Sequence, residues 1–403
     1  MRGHLQNFCL LLGSLASTLV WSGCNDAPSP VGAEFLPDTA QLYVLTAPPD
    51  SVFEAVATHR LPQPLFNVGI LYIGRFQSME ARTLLRFTDI PDTLGSLTAE
   101  SILRATLLLS PERYALGDTS SGATHVPFSI HKVIRLWTPK ATWDSLFAGG
   151  DAGTLDPTEL GRWETPIPLR DTVQPIRIEL NDLGRQLIAE WLRFQSDSSL
   201  RQQIYGLALL PTPSGSAIRA FATQAIGQLE RPAPKLEILY RHPSGNVDTL
   251  YLTAGYAGSF ISPADADTTR YLILQPGIAY QPKLSLRLTA LPPLAAIHRA
   301  ELRLTIDSTA CWTGNRERSR TLLLLPSDTN APGWVSTTAT YDPQSGAFIS
   351  KTLAPLLEYW FRRQQRGTLI VSLPATELYG RLDRLAFLPQ PQLTIVYSRR
   401  KQP

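Results

Sequence analysis

Apolar and polar residues alternate along most of this chain in short runs separated by turn signals. From about residue 38 onward, runs rich in Leu, β-branched and aromatic residues follow one another, and Gly, Pro, Asn or Asp stand between them. In "RTLLRF" and "LRATLLL", Arg and Thr interleave with apolar residues at a period of two, as in a half-buried strand. The spacing predicts an all-β protein of antiparallel, jelly-roll-like sandwiches.

The same pattern occurs twice in the same order. "DTLYLTAGY" from Asp248 repeats "TAQLYVLTA" from Thr39, and "IHRAELRLTID" repeats "ILRATLLLS". Near the ends of the two copies, "PKLEILYR" corresponds to "PQLTIVYS". An ordered repeat of this kind predicts two tandem modules, covering 38–243 and 244–403, with the boundary in the polar segment "RHPSGNVD".

Each copy contains one segment with helical rather than strand periodicity. One apolar stripe consists of Leu187, Ile188, Trp191 and Leu192, and the other of Leu353, Leu356, Leu357, Trp360 and Phe361. This spacing predicts one short helix in each module, closing one end of the sandwich. Trp191 and Trp360 are therefore predicted to be core residues before they are ligand platforms.

Length and charge limit the classes of function. A chain of 403 residues is too long for one ordinary core, which agrees with two modules. Its formal charge of +3 is small and there is no basic block, so a nucleic-acid partner is not predicted. No cofactor motif is present in the sequence.

The first residues have the layout of a secretory signal. Arg2 precedes the apolar stretch "FCLLLGSLASTLV", and Ser-Gly leads into Cys24, as in the lipobox of bacterial lipoproteins. We therefore expect a signal peptide over 1–23, lipidation of Cys24, a tether over 24–37, and a membrane partner reached through the lipid anchor. Asn25 favours the outer membrane, so the expected location is the cell envelope. An ordinary signal peptide cut nearby is the alternative.

An ordered set of segments over about Glu80–Arg241 resembles a known family. The segments are "EARTLLRFTDIP", "ILRATLLLS", "IHKVIRLWTPKATWDS", "LNDLGRQLIAEWL", "IYGLALLP" and "RPAPKLEILYR". They resemble DNRLRE-type β-sandwich modules, which are related to carbohydrate-binding module family 96. The second copy lacks a counterpart of Trp137, Thr142 and Trp143, so it is interpreted as a divergent module. The resemblance implies a non-catalytic part of a polysaccharide-active or cell-surface protein.

A sugar site on a sandwich needs an exposed aromatic face and a polar or cationic neighbour. Trp163, in the polar segment "ELGRWETP", is the aromatic residue selected by this criterion, and Arg162 beside it would pair with an acidic sugar. The alternative is a loop aromatic folded back over the sheet. Trp137 and Trp143 are predicted to hold their loop against the sandwich.

Catalytic and metal-binding patterns are weak in this sequence. His125 and His131 would lie about 20 Å apart on one strand, too far to share a metal. "GGDAGTLD" lacks the dense oxygen ligands of a calcium loop, and Cys311 is predicted to be a buried structural thiol. We therefore expect no enzymatic activity, no metal and no cofactor.

Three hypotheses for function follow. The first is a non-catalytic envelope lipoprotein that binds or scaffolds extracellular polysaccharide. The second is a structural or adhesion component that binds another envelope protein. The third is a polysaccharide-active enzyme, for which no pair of carboxylates stands out in the sequence.

Overall fold

The computed structural model describes residues 42–47, 49–170, 174–197, 199–225, 232–328 and 337–399. About half of these residues lie in strands, all paired antiparallel, and few lie in helices, which confirms the predicted all-β class. The strands of the first part are β1 Leu42–Ala47, β2 Phe53–Arg60, β3 Leu65–Phe66, β4 Val68–Phe76, β5 Met79–Phe87, β6 Ile102–Leu109, β7 Pro111–Gly117, β8 Ala123–Thr124, β9 Phe128–Val133, β10 Leu155–Trp163, β11 Ile167–Pro168, β12 Ile176–Glu179, β13 Leu207–Pro211, β14 Ala217–Ala225 and β15 Lys235–Arg241.

The remaining strands and the helices complete the described elements. The strands are β16 Val247–Ile261, β17 Leu272–Leu274, β18 Tyr280–Arg287, β19 Ala296–Thr305, β20 Thr321–Pro326, β21 Thr337–Asp342, β22 Ala347–Ser350, β23 Arg366–Ser372, β24 Leu385–Phe387 and β25 Gln392–Ser398. The α-helices are α1 Pro49–Val52, α2 Trp143–Leu146, α3 Asp182–Ser196, α4 Ala354–Arg363 and α5 Ala375–Leu378. Within the described residues no helix is long and apolar enough to cross a membrane.

The first sandwich packs two layers around one apolar core. One layer has the order β12, β6, β15 and the first half of β16, and the other has the order β10, β9, β13, β5 and the second half of β16. Strand β4 pairs with both β5 and β14, and β14 pairs with β7. The long strand β16 therefore belongs to both layers and links them at one edge.

The second sandwich is one continuous sheet of nine strands folded over a second core. Its order is β1, β25, β19, β22, β21, β20, β23, β18 and β2. The hairpin of β21 and β22 joins the two layers, and the short sheet of β17 and β24 packs beside them. Strands β1 and β2 thus form the two outer edges of this sheet.

The two repeats exchange their first strands. Strand β1, which begins the first sequence copy, pairs with β25 at the end of the second, and β2 pairs with β18. Conversely, β16, which begins the second copy, pairs with β15 and β5 of the first. Strand pairing therefore crosses the predicted limits of 38–243 and 244–403. The physical reason is that equivalent strands of a repeat offer the same apolar alternation to either partner.

Each sandwich has a long helix at the position expected from the apolar stripes. Helix α3 begins after Asn181, whose side chain accepts a hydrogen bond from Gly184 N at 3.0 Å. Trp191 and Trp360 are buried, which confirms them as core residues. Helix α4 packs so closely that a Cβ atom at Gly367 would lie 1.9 Å from the Trp360 ring, and only glycine leaves room there.

A third apolar cluster lies where the two sandwiches meet. Alternate residues of β14 point in opposite directions: Phe221 enters the first core, whereas Ile218 joins a cluster with Tyr72 of the first sandwich. Ile278 and Leu382 enter this cluster from the second sandwich. The shared cluster makes the two sandwiches one packed unit.

A buried hydrogen-bond network reinforces this junction. The Tyr114 hydroxyl donates to Asp383 Oδ1 at 2.8 Å and accepts from Leu382 N at 2.7 Å. The same carboxylate oxygen accepts from Gly314 N at 2.9 Å, and Arg381 Nη1 lies 3.3 Å from Oδ2. A buried carboxylate is tolerated in this position because its oxygens are all engaged.

A second buried cation crosses the same junction. Arg384 lies over the Trp312 ring, with its guanidinium carbon 3.4 Å from the ring centroid. It donates to Gln275 Oε1 at 2.9 Å and to the Asp265 carbonyl at 3.0 Å. Burial lowers the pKa of Arg384 to about 10, so the side chain remains charged at neutral pH.

Replacing the central hydroxyl tests whether this network stabilises the junction. Tyr114→Phe leaves Asp383 and the amide of Leu382 without their shared partner, and we expect it to lower the free energy of unfolding by about 1–3 kcal/mol. Tyr72→Phe is the matched control, because that hydroxyl makes a single bond to the Tyr379 carbonyl. Urea unfolding of both variants measures the difference. Equal losses in the two variants would contradict the role given to the network.

Removing the buried charge should change how stability depends on pH. Burial raises the pKa of Asp383. A raised pKa in the folded state means that its stabilising contribution is present below the unfolded value and is lost as the pH rises through the folded value. The free energy of unfolding of Asp383→Asn, relative to the parent protein, should therefore increase as the pH rises above the ordinary pKa of an aspartate, about 4. A pH-independent difference in denaturant titrations would contradict this.

Candidate functional site

A row of aromatic rings lies on the outer face of the larger layer of the first sandwich. We call it the aromatic band, and it consists, in spatial order, of Tyr256, Phe66, Trp137, Phe260, Phe147 and Trp143. Neighbouring ring centroids lie 5.1–6.3 Å apart, mostly in edge-to-face or tilted geometry. Such a row packs ring against ring over apolar side chains of this sheet face, among them Leu84 and Ala208.

Strand alternation builds the band. Phe260 on β16 lies opposite Arg82 on β5, and Tyr256 lies opposite Arg86, whereas Leu85 on β5 points into the first core. Short strand β3 pairs with β16 and brings Phe66 beside Tyr256. Because side chains alternate along a strand, these rings and both arginines share one face.

The centre of the band is structural. Trp137, Phe260 and Phe147 are buried, and Trp137 Nε1 donates to the Tyr205 carbonyl at 3.0 Å. This contact holds the loop that follows β9 against the sheet, as the sequence predicts for Trp137. Solvent reaches the band only at its two ends. An arginine lies at each end, and the two arginines differ in whether carboxylates neutralise them.

At one end, Arg82 lies between Trp143 and Phe147. Its guanidinium carbon is 4.9 Å from the first ring centroid and 4.7 Å from the second. Glu80 pairs with its Nε at 2.6 Å and Asp151 with its Nη1 at 2.5 Å. Two carboxylates therefore neutralise this cation, which fixes the loop in place.

At the other end, Arg86 lies over the ring of Tyr256 at 5.5 Å, and both side chains are partly exposed. Within the described part of the chain, Arg86 has no hydrogen-bond or ion-pair partner. The pair therefore offers an aromatic face next to a cation with free donors. This combination suits a sugar ring that carries a carboxylate or a sulfate.

A β-bulge sets the position of Tyr256. The register of β16 against β5 shifts just before this residue. Asn67, at a φ of 45°, donates from Nδ2 to the Gly255 carbonyl at 3.2 Å and accepts from Ala257 N at 3.0 Å. A Cβ atom at Gly255 would lie 2.4 Å from Thr88 Oγ1, so the bulge favours glycine. Bulges commonly re-aim one side chain in this way.

The two residues selected from the sequence lie on opposite faces of β10. Arg162 is opposite Ser129 of β9, and Trp163 is opposite Phe128, a residue of the first core. Trp163 packs against that core, and its indole nitrogen is buried without a hydrogen-bond partner. The two side chains therefore do not form one binding surface.

Arg162 is also compensated by neighbouring carboxylates. It lies 2.5 Å from Glu159 and 3.2 Å from Glu164, and its side chain is exposed on the outer face of the sheet. Hydrogen bonding to Glu159, and then to Glu164, raises the pKa of Arg162 above its ordinary value. Binding of an anion there would have to compete with these pairs.

Cys24 and Cys311 are two further residues that the sequence singles out. Cys24 lies outside the described residues. Cys311 is half-buried, its Sγ donates to the Asp307 carbonyl and accepts from Ala386 N, both at 3.3 Å, and burial raises the pKa of the thiol. Across the described ranges, no group of three or more His, Cys, Asp or Glu side chains is placed to hold a metal ion.

Sequence reasoning missed Arg86, Phe66 and Tyr256 because they come from three strands. The signal that would have found them is the spacing in "RTLLRF" and "AGYAGSF", where the two arginines and the two rings are each four residues apart and so share a strand face. That spacing assigns the residues to one face of their strands. It does not show that β5 and β16 are neighbours across about 170 residues of chain.

A substitution at Trp163 distinguishes a core residue from a ligand platform. We expect Trp163→Ala to lower the free energy of unfolding by about 2–4 kcal/mol, since it leaves a cavity against the first core. Trp163→Phe keeps most of the packing and removes the unpartnered buried N–H group, so it should change stability by less than about 1 kcal/mol. Denaturant unfolding measures both, and a negligible effect of the alanine variant would show that the ring is not packed.

Comparisons with known proteins identify no relative of this chain. No protein-family model matches it, and no curated protein matches it. Among solved structures, the C-terminal domain of the AgI/II polypeptide BspA from Streptococcus agalactiae is 10% identical, with a TM-score of 0.15 over 86% of this chain and 92% of that chain. The Macrobrachium rosenbergii nodavirus structure is 11% identical, with a TM-score of 0.11 over 94% and 93%. Similarities of this size support no inference about function.

Proposed function

We propose that this protein is a non-catalytic lipoprotein of the cell envelope that binds an acidic extracellular polysaccharide. The observation that carries the proposal is the partly exposed pair of Arg86 and Tyr256, where a cation that pairs with no described carboxylate or carbonyl lies beside an aromatic face. A sugar ring packs its CH groups on such a face while a carboxylate or sulfate accepts hydrogen bonds from the guanidinium group.

The arrangement of the band supports a binding role over a catalytic one. Its centre is occupied by buried rings and its other end by a neutralised arginine, so the part of the band offered to a ligand is the open surface of the Arg86 end. The proposal also rests on the resemblance of Glu80–Arg241 to DNRLRE-type modules. Attachment through Cys24, to the outer membrane, would hold the platform at the cell surface.

A second candidate is a structural or adhesion component that binds another envelope protein. It is favoured by the exposed apolar side chains of edge strand β1, where Leu42 is 62% and Val44 is 65% exposed. Edge strands with such side chains are prone to pair with other chains. This candidate needs no role for Arg86.

Affinity electrophoresis of residues 25–403 tests the first candidate. The gels contain a polyuronate, a sulfated polysaccharide or a neutral dextran, and we expect retardation by one of the acidic polymers that weakens with added salt. Arg86→Gln and Tyr256→Ala should each weaken binding about five- to tenfold, which corresponds to about 1–1.4 kcal/mol.

Arg162→Gln is the matched control, because it removes an exposed arginine from the same sheet face that is already paired with carboxylates. Its binding should stay close to that of the parent protein. Loss of retardation in Arg162→Gln or Trp163→Phe, with Arg86→Gln unaffected, would move the site to β10. No retardation by any polymer would overturn the proposal and favour the structural role.

A further inference from the structure

The exchange of first strands between the two repeats involves two segments that differ in their place along the described chain. The segment that completes the first sandwich, β16, is followed and preceded by described elements. The segment that completes the second sandwich, residues 42–60, stands at the start of the described residues and continues into the first sandwich through the hinge 61–64. We call residues 42–60 the donor segment, and it is the part of the fold that can leave and return as a unit.

The donor segment contributes only edge strands. Strands β1 and β2 lie at the two ends of the nine-stranded order, so each has one neighbouring strand within that sheet. Their departure would leave all pairs among the seven inner strands intact. An acceptor sheet that stays formed is what strand exchange requires.

Specific contacts hold the donor segment in place. Val52 and Phe53 are buried in the second core, and Val56 packs against it. Glu54 pairs with Arg287 at 2.5 Å. Each of these contacts joins residues that are far apart in sequence, so each would form equally well with a segment from another copy.

The hinge favours an extended connection. Its sequence is Leu-Pro-Gln-Pro, and prolines restrict both themselves and the preceding residue to extended backbone. Within the hinge, Leu61 is 52% exposed and its amide donates to the Ala279 carbonyl at 3.0 Å. A short, stiff hinge makes it harder for a segment to fold back onto its own chain. Such hinges are a common cause of strand exchange between copies.

We propose that a second copy of this chain can supply residues 42–60 to the second sandwich, giving a reciprocal strand-exchanged dimer. The one-chain and two-chain forms contain the same strand pairs and the same buried contacts. They differ in the effective concentration of the donor segment and in the conformation of the hinge. The fraction of dimer should therefore rise with the protein concentration at which the chain refolds.

A cysteine pair across β1 and β25 reports which chain supplies the donor segment. Val44 lies opposite Val396, so Val44→Cys with Val396→Cys places two thiols where a disulfide can form. The experiment uses residues 25–403, which exclude Cys9 and Cys24, with Cys311→Ser. Copies of two lengths, one carrying a tag, are mixed unfolded, refolded at increasing concentration, and then oxidised.

On a non-reducing gel we expect a species that contains one long and one short chain, with a share that rises about in proportion to concentration while it is small. The control pair is Ser285→Cys with Thr368→Cys, on neighbouring strands β18 and β23 of the same sandwich. That pair should form disulfides within one chain only.

Two results would overturn the proposal. One is that the Val44 and Val396 thiols link within a single chain at every concentration. The other is that mixed species form to the same extent with the control pair, which would show association without exchange. Neither result bears on polysaccharide binding, because Arg86 and Tyr256 lie on the first sandwich.

Discussion

The position of β16 is the constraint on which the rest of this structure depends. Residues 247–253 pair with β15 in one layer, and residues 254–261 pair with β5 in the other. One strand thereby closes an edge of the first sandwich, brings Tyr256 to Arg86, and leaves the second copy without its own first strand. The donor segment from the N-terminal end then fills that position. The cost of closing such long loops grows only slowly with their length, so distant pairing is thermodynamically accessible.

The junction between the sandwiches follows from the same pairing. Because each sandwich contains a strand of the other repeat, the two must fold against each other, and the surface between them becomes a core. That surface is partly polar: Tyr114, Asp383 and Arg381 form one network, and Arg384 lies over Trp312. Buried charges of this kind tolerate few alternative arrangements, since a displaced partner leaves an uncompensated group. We infer that the network specifies the relative placement of the sandwiches more than it adds to their stability.

Much of the fold was predictable from the sequence, and its connectivity was not. The alternation in "RTLLRF" and the stripe around Trp191 and Trp360 are local signals, and they correctly predicted the strands and the two long helices. The strand with which β1 pairs is not determined by the sequence around β1. In a repeat, the first strand of each copy presents the same pattern, so periodicity cannot distinguish its own sandwich from the other. The segment around Trp163 differs from its prediction for another reason: the polar residues of "ELGRWETP" predict a loop, whereas β10 extends to Trp163, and strand alternation then sends adjacent residues to opposite faces.

The two arginines of β5 have the same orientation and different surroundings. Arg82 and Arg86 are four residues apart, face the same way, and each lies over an aromatic ring. Glu80 and Asp151 neutralise the first, so its role is to hold a loop, and a ligand anion would gain little from it. No described carboxylate or carbonyl pairs with the second.

A partly exposed cation such as Arg86 keeps some of its hydration, and binding an anion there costs less desolvation than at a buried site. The β-bulge at Gly255 keeps the Tyr256 ring in front of that cation before any ligand arrives. Because the aromatic partner is already placed, a ligand would not have to order it, and this preorganisation favours the Arg86 end, rather than the better-packed Arg82 end, as the proposed binding end of the band.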